Sequence, residues 1–261
     1  MADFIFIRKT RNAASSAVHI LLNIVFAISA VMLTVFTGSP ILGLILVAIS
    51  KWRVFAVRPH YIWPNFKANL LDFIVGVSMV LIAYYSGSNY LALDILLTAI
   101  YCVWLIFIKP RTSETANFVQ ALIAVFFGMT AASIMTSNLD PIIISVLAFV
   151  VGYSAGRHII SQTSDDKDFA LSTLTCGLIF AEIAWLCNSW MIIYTFGASG
   201  IRIPQLAIVL TIFTYVFASA RSAAAKNDGD FKFRDILAPI IFGIVVVSVM
   251  LIWFSNPIFN I

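Results

Sequence analysis

Long apolar runs alternate with short polar breaks along the whole chain. Nine of them, at 14–37, 39–54, 68–87, 90–108, 115–137, 141–160, 169–196, 204–222 and 235–255, read as membrane-crossing helices. About 20 mostly apolar residues suffice to cross a hydrocarbon core of roughly 30 Å. The second run is the weakest, because its apolar core reaches only from Pro40 to Ile49 before Lys51 and Arg53 intervene. The expected fold is an all-α integral membrane protein, a bundle of about nine transmembrane helices forming one polytopic domain over 1–261, with no soluble domain. Three of the returning helices are expected to open near a proline, at Ser39-Pro40, Asp140-Pro141 and Ile203-Pro204, since the first helical turn needs no proline N–H. The runs also read as four hairpins and a lone last helix. That order is compatible with an internal duplication and equally with unrelated short-looped spans.

The basic residues orient this bundle. With nine crossings and a cytoplasmic N-terminus, 15 of the 16 Lys and Arg fall on inner segments and Arg202 alone lies outside. Without the second crossing every later loop changes side, and only Arg8, Lys9, Arg11 and Arg202 remain inside. Cytoplasmic loops collect Lys and Arg, so the charge pattern calls for nine crossings, with the C-terminus extracytoplasmic. The first run is too long for the apolar region of a cleavable signal, and no small-residue cleavage site follows it.

Composition then excludes the alternatives. Of 261 residues, 61% are hydrophobic and 11% charged, with a mean hydropathy of +1.00. A water-soluble domain carries about 25% charged residues, so too little polar surface remains here to cover a soluble core. The net charge of +4 follows from the topology signal. It calls for anionic inner-leaflet lipids in the surrounding bilayer as partners and needs no nucleic acid. The expected location is a bacterial cytoplasmic membrane.

Few side chains remain to carry chemistry. Glu182 falls near the middle of the seventh run, where a carboxylate costs about 2.5–3.5 kcal/mol to insert and ordinarily faces a partner or a wet cavity. Seven-residue steps from it give Asp168, Thr175, Glu182 and Ser189, one polar stripe that reads as the lining of a substrate or ion path. A protonated acid bonded to a neighbouring helix is the plainer reading of Glu182. Near the inner end of the bundle, His19, Asn23 and Asp72 share a depth and read as an inner polar cluster, the kind of contact that commonly holds helices together. Asp94 and Arg202 are expected at the outer, solvated interface.

The segment 51–67 reads as an interfacial basic and aromatic stretch, with Lys51, Trp52, Arg53, Arg58 and Trp63 at the lipid interface. Pro59 and Pro64 are expected to keep it from forming one continuous helix. Gly152-Tyr153-Ser154-Ala155-Gly156 fits GxSxG as well as GxxxG. A nucleophile elbow needs a strand–turn–helix context that a membrane helix lacks, so Gly152 and Gly156 read as a helix-packing face. The three cysteines and three histidines form no metal-ligand or nucleotide motif, so neither a metal nor a cofactor is expected. The resulting expectation is a small secondary transporter or permease component for a small solute or ion, with a mid-membrane carboxylate, rather than an enzyme. The alternative is a non-catalytic structural or assembly subunit that packs against a second copy or another membrane protein.

Overall fold

The computed structural model describes residues 2–87, 90–161, 169–189, 192–195, 200–226 and 233–253, with side chains from residue 17 onward except at 53, 225, 226, 233, 235, 251 and 253. Helix α1 runs from Ala2 to Thr37, α2 from Pro40 to Ser50, α3 from Trp52 to Phe55 and α4 from Pro59 to Ser86. Helix α5, Leu91–Val103, continues into a π-helical turn at Trp104–Ile108. Then come α6 (Glu114–Thr136), α7 (Pro141–Ile160), α8 (Phe169–Asn188), α9 (Gln205–Lys226) and α10 (Phe233–Trp253). Two short antiparallel strands, β1 (Ile193–Thr195) and β2 (Arg202–Pro204), lie between α8 and α9.

Among the described residues, seven helices are long and apolar enough to cross a membrane, and two shorter apolar helices, Pro40–Ser50 and Ile236–Met250, coincide with the remaining expected runs. Large apolar side chains such as Leu21, Phe36, Ile41, Leu91, Leu171 and Ile252 are exposed around the bundle. An apolar outer belt of that extent is what lipid covers in a multi-pass membrane protein.

Helices α4 and α6 form the middle of the bundle and pack on each other. Helices α1, α2 and α5 pack against α4, while α7 and α9 pack against α6. Helix α8 lies outside α7, and α10 outside α9. Caps written in the sequence set several ends. Gly38, at φ +60, takes the left-handed position that closes α1. The Ser39 hydroxyl then accepts from the Ile41 N–H at 3.4 Å, and the Asp140 carboxylate from the Ile142 N–H at 2.8 Å, with Pro40 and Pro141 in the first turns.

Two expectations change. The seventh run does not stay helical to 196: α8 stops at Asn188, and Ile193–Thr195 pairs as a strand with Arg202–Pro204. Its β-branched and aromatic residues suit a strand. Pro204 ends that strand and α9 opens at the next residue, so the helix does begin beside its proline. In the basic segment the helix breaks at residues 56–58, but Pro64 is accommodated inside α4. It lies only five residues after the first helical position, where the sole loss is one bond to an early carbonyl.

Candidate functional site

Asp72 organises the strongest polar site. It lies on the buried face of α4 with only 9% of its surface exposed, so its charge must find partners inside the protein. One carboxylate oxygen, Oδ2, takes the Lys51 ammonium in a very short contact and the Lys109 ammonium at 2.8 Å. The other, Oδ1, accepts the Trp104 indole N–H at 3.0 Å. Three elements thus meet at one carboxylate: the end of α2, the inner face of α4, and the π-helical turn through both of its ends.

The π turn explains how α5 supplies two of these groups. In an α-helix residue i+5 points about 140° away from residue i. An i→i+5 ladder brings it back toward the same side. The Lys109 N–H bonds the Trp104 carbonyl at 2.8 Å, and both side chains reach Asp72. Beyond this turn, Gln120 of α6 donates to the Ile108 and Arg111 carbonyls at 2.7 and 2.9 Å, and its own carbonyl lies 2.8 Å from His158 Nε2 of α7. The turn is thereby tied to α6 and α7.

A second carboxylate lies on α5 itself. Asp94 has no exposed surface, and neither of its carboxylate oxygens has a hydrogen-bond partner among the described residues. Thr98, one turn on, bonds to the Asp94 backbone carbonyl at 2.7 Å, not to the carboxylate. The Tyr101 hydroxyl, fully buried, is likewise without a hydrogen-bond partner. A Cβ placed on Gly76 would stand 2.8 Å from that hydroxyl and 2.9 Å from Val47, so glycine is what lets α2, α4 and α5 close around it. Asp94, Thr98, Tyr101 and Trp104 follow steps of four, three and three, a single helical face rising about 15 Å from end to end. That face turns into the bundle and carries a carboxylate at each end: Asp94 itself, and Asp72 reached through Trp104.

The residues singled out from the sequence are distributed differently. His19 is exposed and Asn23 half-buried, and Asp72 takes Lys51, Lys109 and Trp104 as partners in place of His19. Two ammonium groups at its own depth outcompete an imidazole on a helix whose face looks outward. Lys51 is not at the lipid interface, because with 8% exposure it is buried on Asp72. Trp52, Arg58 and Trp63 are exposed, and the Arg53 side chain lies outside the described residues. Asp94 is enclosed, where a solvated position near Arg202 was expected.

Glu182 and Thr175 share one face, but it is the exposed, outward face of α8, and Ser189, one residue past the helix, is exposed too. The Thr175 hydroxyl bonds the Leu171 carbonyl of its own helix at 2.9 Å, and Asp168 lies outside the described residues. The opposite face of α8, Thr173, Cys176, Gly177, Phe180 and Ala184, is buried. Gly152 and Gly156 of α7 meet it closely: a Cβ on Gly152 would stand 2.4 Å from the Phe180 ring, and one on Gly156 2.8 Å from the Cys176 Cβ. No group of three or more His, Cys, Asp or Glu side chains able to hold a metal occurs among the described residues.

Lys109 and Trp104 were not singled out from the sequence, although a signal for Lys109 was present. Lys51 and Lys109 both end apolar runs on the side where Asp72 enters its own, so matching depth alone pairs them. The burial of Asp94 had no such signal. No protein-family model matches the chain, and neither a curated protein nor a solved structure is significantly similar to it.

Proposed function

We propose that the chain is a small permease component that moves a proton or small cation through a cytoplasmic membrane, with Asp94 as the exchanging carboxylate and Asp72 as the fixed anion at the inner end. The observation that carries this reading is the burial of Asp94, with no exposed surface and no hydrogen-bond partner for its carboxylate among the described residues. An ionised carboxylate in that position lacks a cation, and a protonated one lacks an acceptor for its O–H. Either state is completed by a small positive species arriving from outside the packed side chains. Intramembrane acids are costly and ordinarily mark ion pathways. Tyr101 falls between Asp94 and Trp104 on that face, and its buried hydroxyl has no hydrogen-bond partner among the described residues. The nine-crossing topology, with N-terminus inside and C-terminus outside, belongs to the same reading. It is supported by Lys51 and Lys109 meeting on one carboxylate, which puts the ends of α2 and α5 at one depth.

Proteoliposomes holding a pH-sensitive dye test this reading under an imposed potassium diffusion potential. The wild type is expected to acidify or alkalinise the lumen faster than protein-free vesicles, and Asp94→Asn to reduce the difference at least tenfold, the loss of roughly 1.4 kcal/mol or more of barrier lowering. Wild-type vesicles indistinguishable from protein-free ones would sink proton movement.

One observation favours a second reading, a subunit of a membrane assembly. Glu182 is exposed at mid-helix on α8, and a carboxylate facing lipid there is expensive. A second chain against α8 removes that cost, and any path lined by Glu182, Thr175 and Ser189 then lies between two chains. The mass of the detergent-solubilised particle tests this: a particle of one chain, unchanged by Glu182→Ala, argues against it.

A further inference from the structure

A groove of about 600 Å³ opens between α4, α6 and α7, on the side of the bundle away from Asp94. Its floor is made by the small residues Gly128, Ala131 and Ala132 of α6. Its walls come from α4, through Val77 and Leu81, and from α7, through Leu147 and Val150. The one hydroxyl along the α4 wall, Ser78, bonds the Ile74 carbonyl of its own helix at 2.6 Å, so that wall offers a ligand only apolar surface. At one end the character changes. Lys67 and Trp63 form the mouth, the ammonium lying 4.9 Å from the indole centroid.

From Lys67 to Leu81 the α4 wall rises about 21 Å, more than the roughly 15 Å depth of one leaflet. A helix 10–12 Å across would displace well over 1,000 Å³ along that length, so the groove suits a thinner, flexible apolar chain. Charge fixes what stands at the mouth. From Lys51 to Leu71 the sequence holds Lys51, Arg53, Arg58 and Lys67 and no Asp or Glu. The next acid along, Asp72, is already taken by Lys51 and Lys109. Lys67 thus faces the headgroup level without an anion from its own segment, beside an aromatic ring of the type that anchors at that level.

We propose that this groove holds one acyl chain of an anionic glycerophospholipid, with the lipid phosphate on the Lys67 ammonium. The site is separate from the Asp94 face and stands whether or not the chain moves ions. The phosphate gives Lys67 the anion that no carboxylate among the described residues provides, and the acyl chain covers the small-residue floor of α6, which would otherwise be an unfilled apolar gap.

Native mass spectrometry of the full chain in mild detergent, with dioleoyl phosphatidylglycerol added, tests this directly. The wild type is expected to retain one phosphatidylglycerol under activation that strips the remainder. Val150→Trp fills the groove from its half-exposed edge and is expected to reduce that adduct at least tenfold, whereas Val146→Trp, one turn away and outside the groove, leaves it unchanged. Ala132→Phe blocks the floor independently, should the first variant fold poorly. Lys67→Gln should weaken phosphatidylglycerol about tenfold, as loss of a charge-assisted bond does, while leaving dioleoylglycerol, which has no phosphate, unaffected. Undiminished retention by both groove-filling variants would overturn the proposal. So would a polypeptide, with no lipid, crosslinked from position 150.

Discussion

Helices α5 and α8 carry similar polar stripes and put them to opposite uses. On α5, Asp94, Thr98, Tyr101 and Trp104 face the bundle, and the carboxylate of Asp94 is fully enclosed. On α8, Thr175 and Glu182 face outward, and Ser189, just past its end, is exposed with them. Depth along a span is readable from the sequence, but facing is decided by which side of the helix finds a close-packing neighbour. Helix α8 is held by its small face, where Gly152 and Gly156 of α7 admit Phe180 and Cys176. Glu182 lies about 200° from Phe180 and from Ala184 around the helix. Once that small face is buried, the carboxylate has to look away. Helix α5 meets its glycine, Gly76 of α4, on the polar stripe itself, at the Tyr101 hydroxyl, so the contact that admits bulky Tyr101 and Trp104 draws the stripe into the bundle.

The comparison is most severely tested at the inner end. Asp72→Asn leaves two ammonium groups without their anion, and a broken buried pair costs about 3–5 kcal/mol. Equilibrium unfolding in mixed micelles should show that loss, and Lys51→Met in the same chain should recover part of it. A wild-type midpoint for Asp72→Asn would mean that the α5 side is not held by its charges. The α8 side should respond to volume instead. Gly152→Val pushes into the Phe180 ring and should cost roughly 1–3 kcal/mol, with partial rescue by Phe180→Leu in the same assay. No rescue would place the strain elsewhere than at the α7–α8 contact.

Lys109→Gln separates the two ammonium groups on Asp72. Its side chain is 42% exposed, so water screens it, and a change of about 1 kcal/mol or less is expected. Glu182→Gln should be the mildest, within about 0.5 kcal/mol for the single chain. A larger effect would reveal a partner on α8.

Much of this architecture could be read in advance, for a physical reason. Apolar length and Lys/Arg placement are additive along the chain, so the positions of the helices follow from counting. The π turn at Trp104–Ile108 could not be read, because it changes the residue-to-face relation only locally, and with it the partnership of Trp104 and Lys109 with Asp72. The burial of Lys51 was hidden by its neighbours: Trp52, Arg53 and Arg58 look like an interface, and Lys51 leaves that company only because Asp72 lies at its depth. The outward turn of Glu182 was legible in principle. Thr173, Cys176, Gly177, Phe180 and Ala184 form the face that Gly152 and Gly156 require, and it lies opposite the acid. For Asp94, position near a helix start suggests solvent, and only three-dimensional packing encloses it.

The central claim is that the inward carboxylate of α5, and not the outward one of α8, does the work. Proton flux into proteoliposomes carrying Asp94→Asn or Glu182→Gln, at matched protein content, tests it most directly. The expected result is a loss of at least tenfold in Asp94→Asn with Glu182→Gln near the wild-type rate. The reverse order, with Glu182→Gln inactive and Asp94→Asn unimpaired, would contradict it.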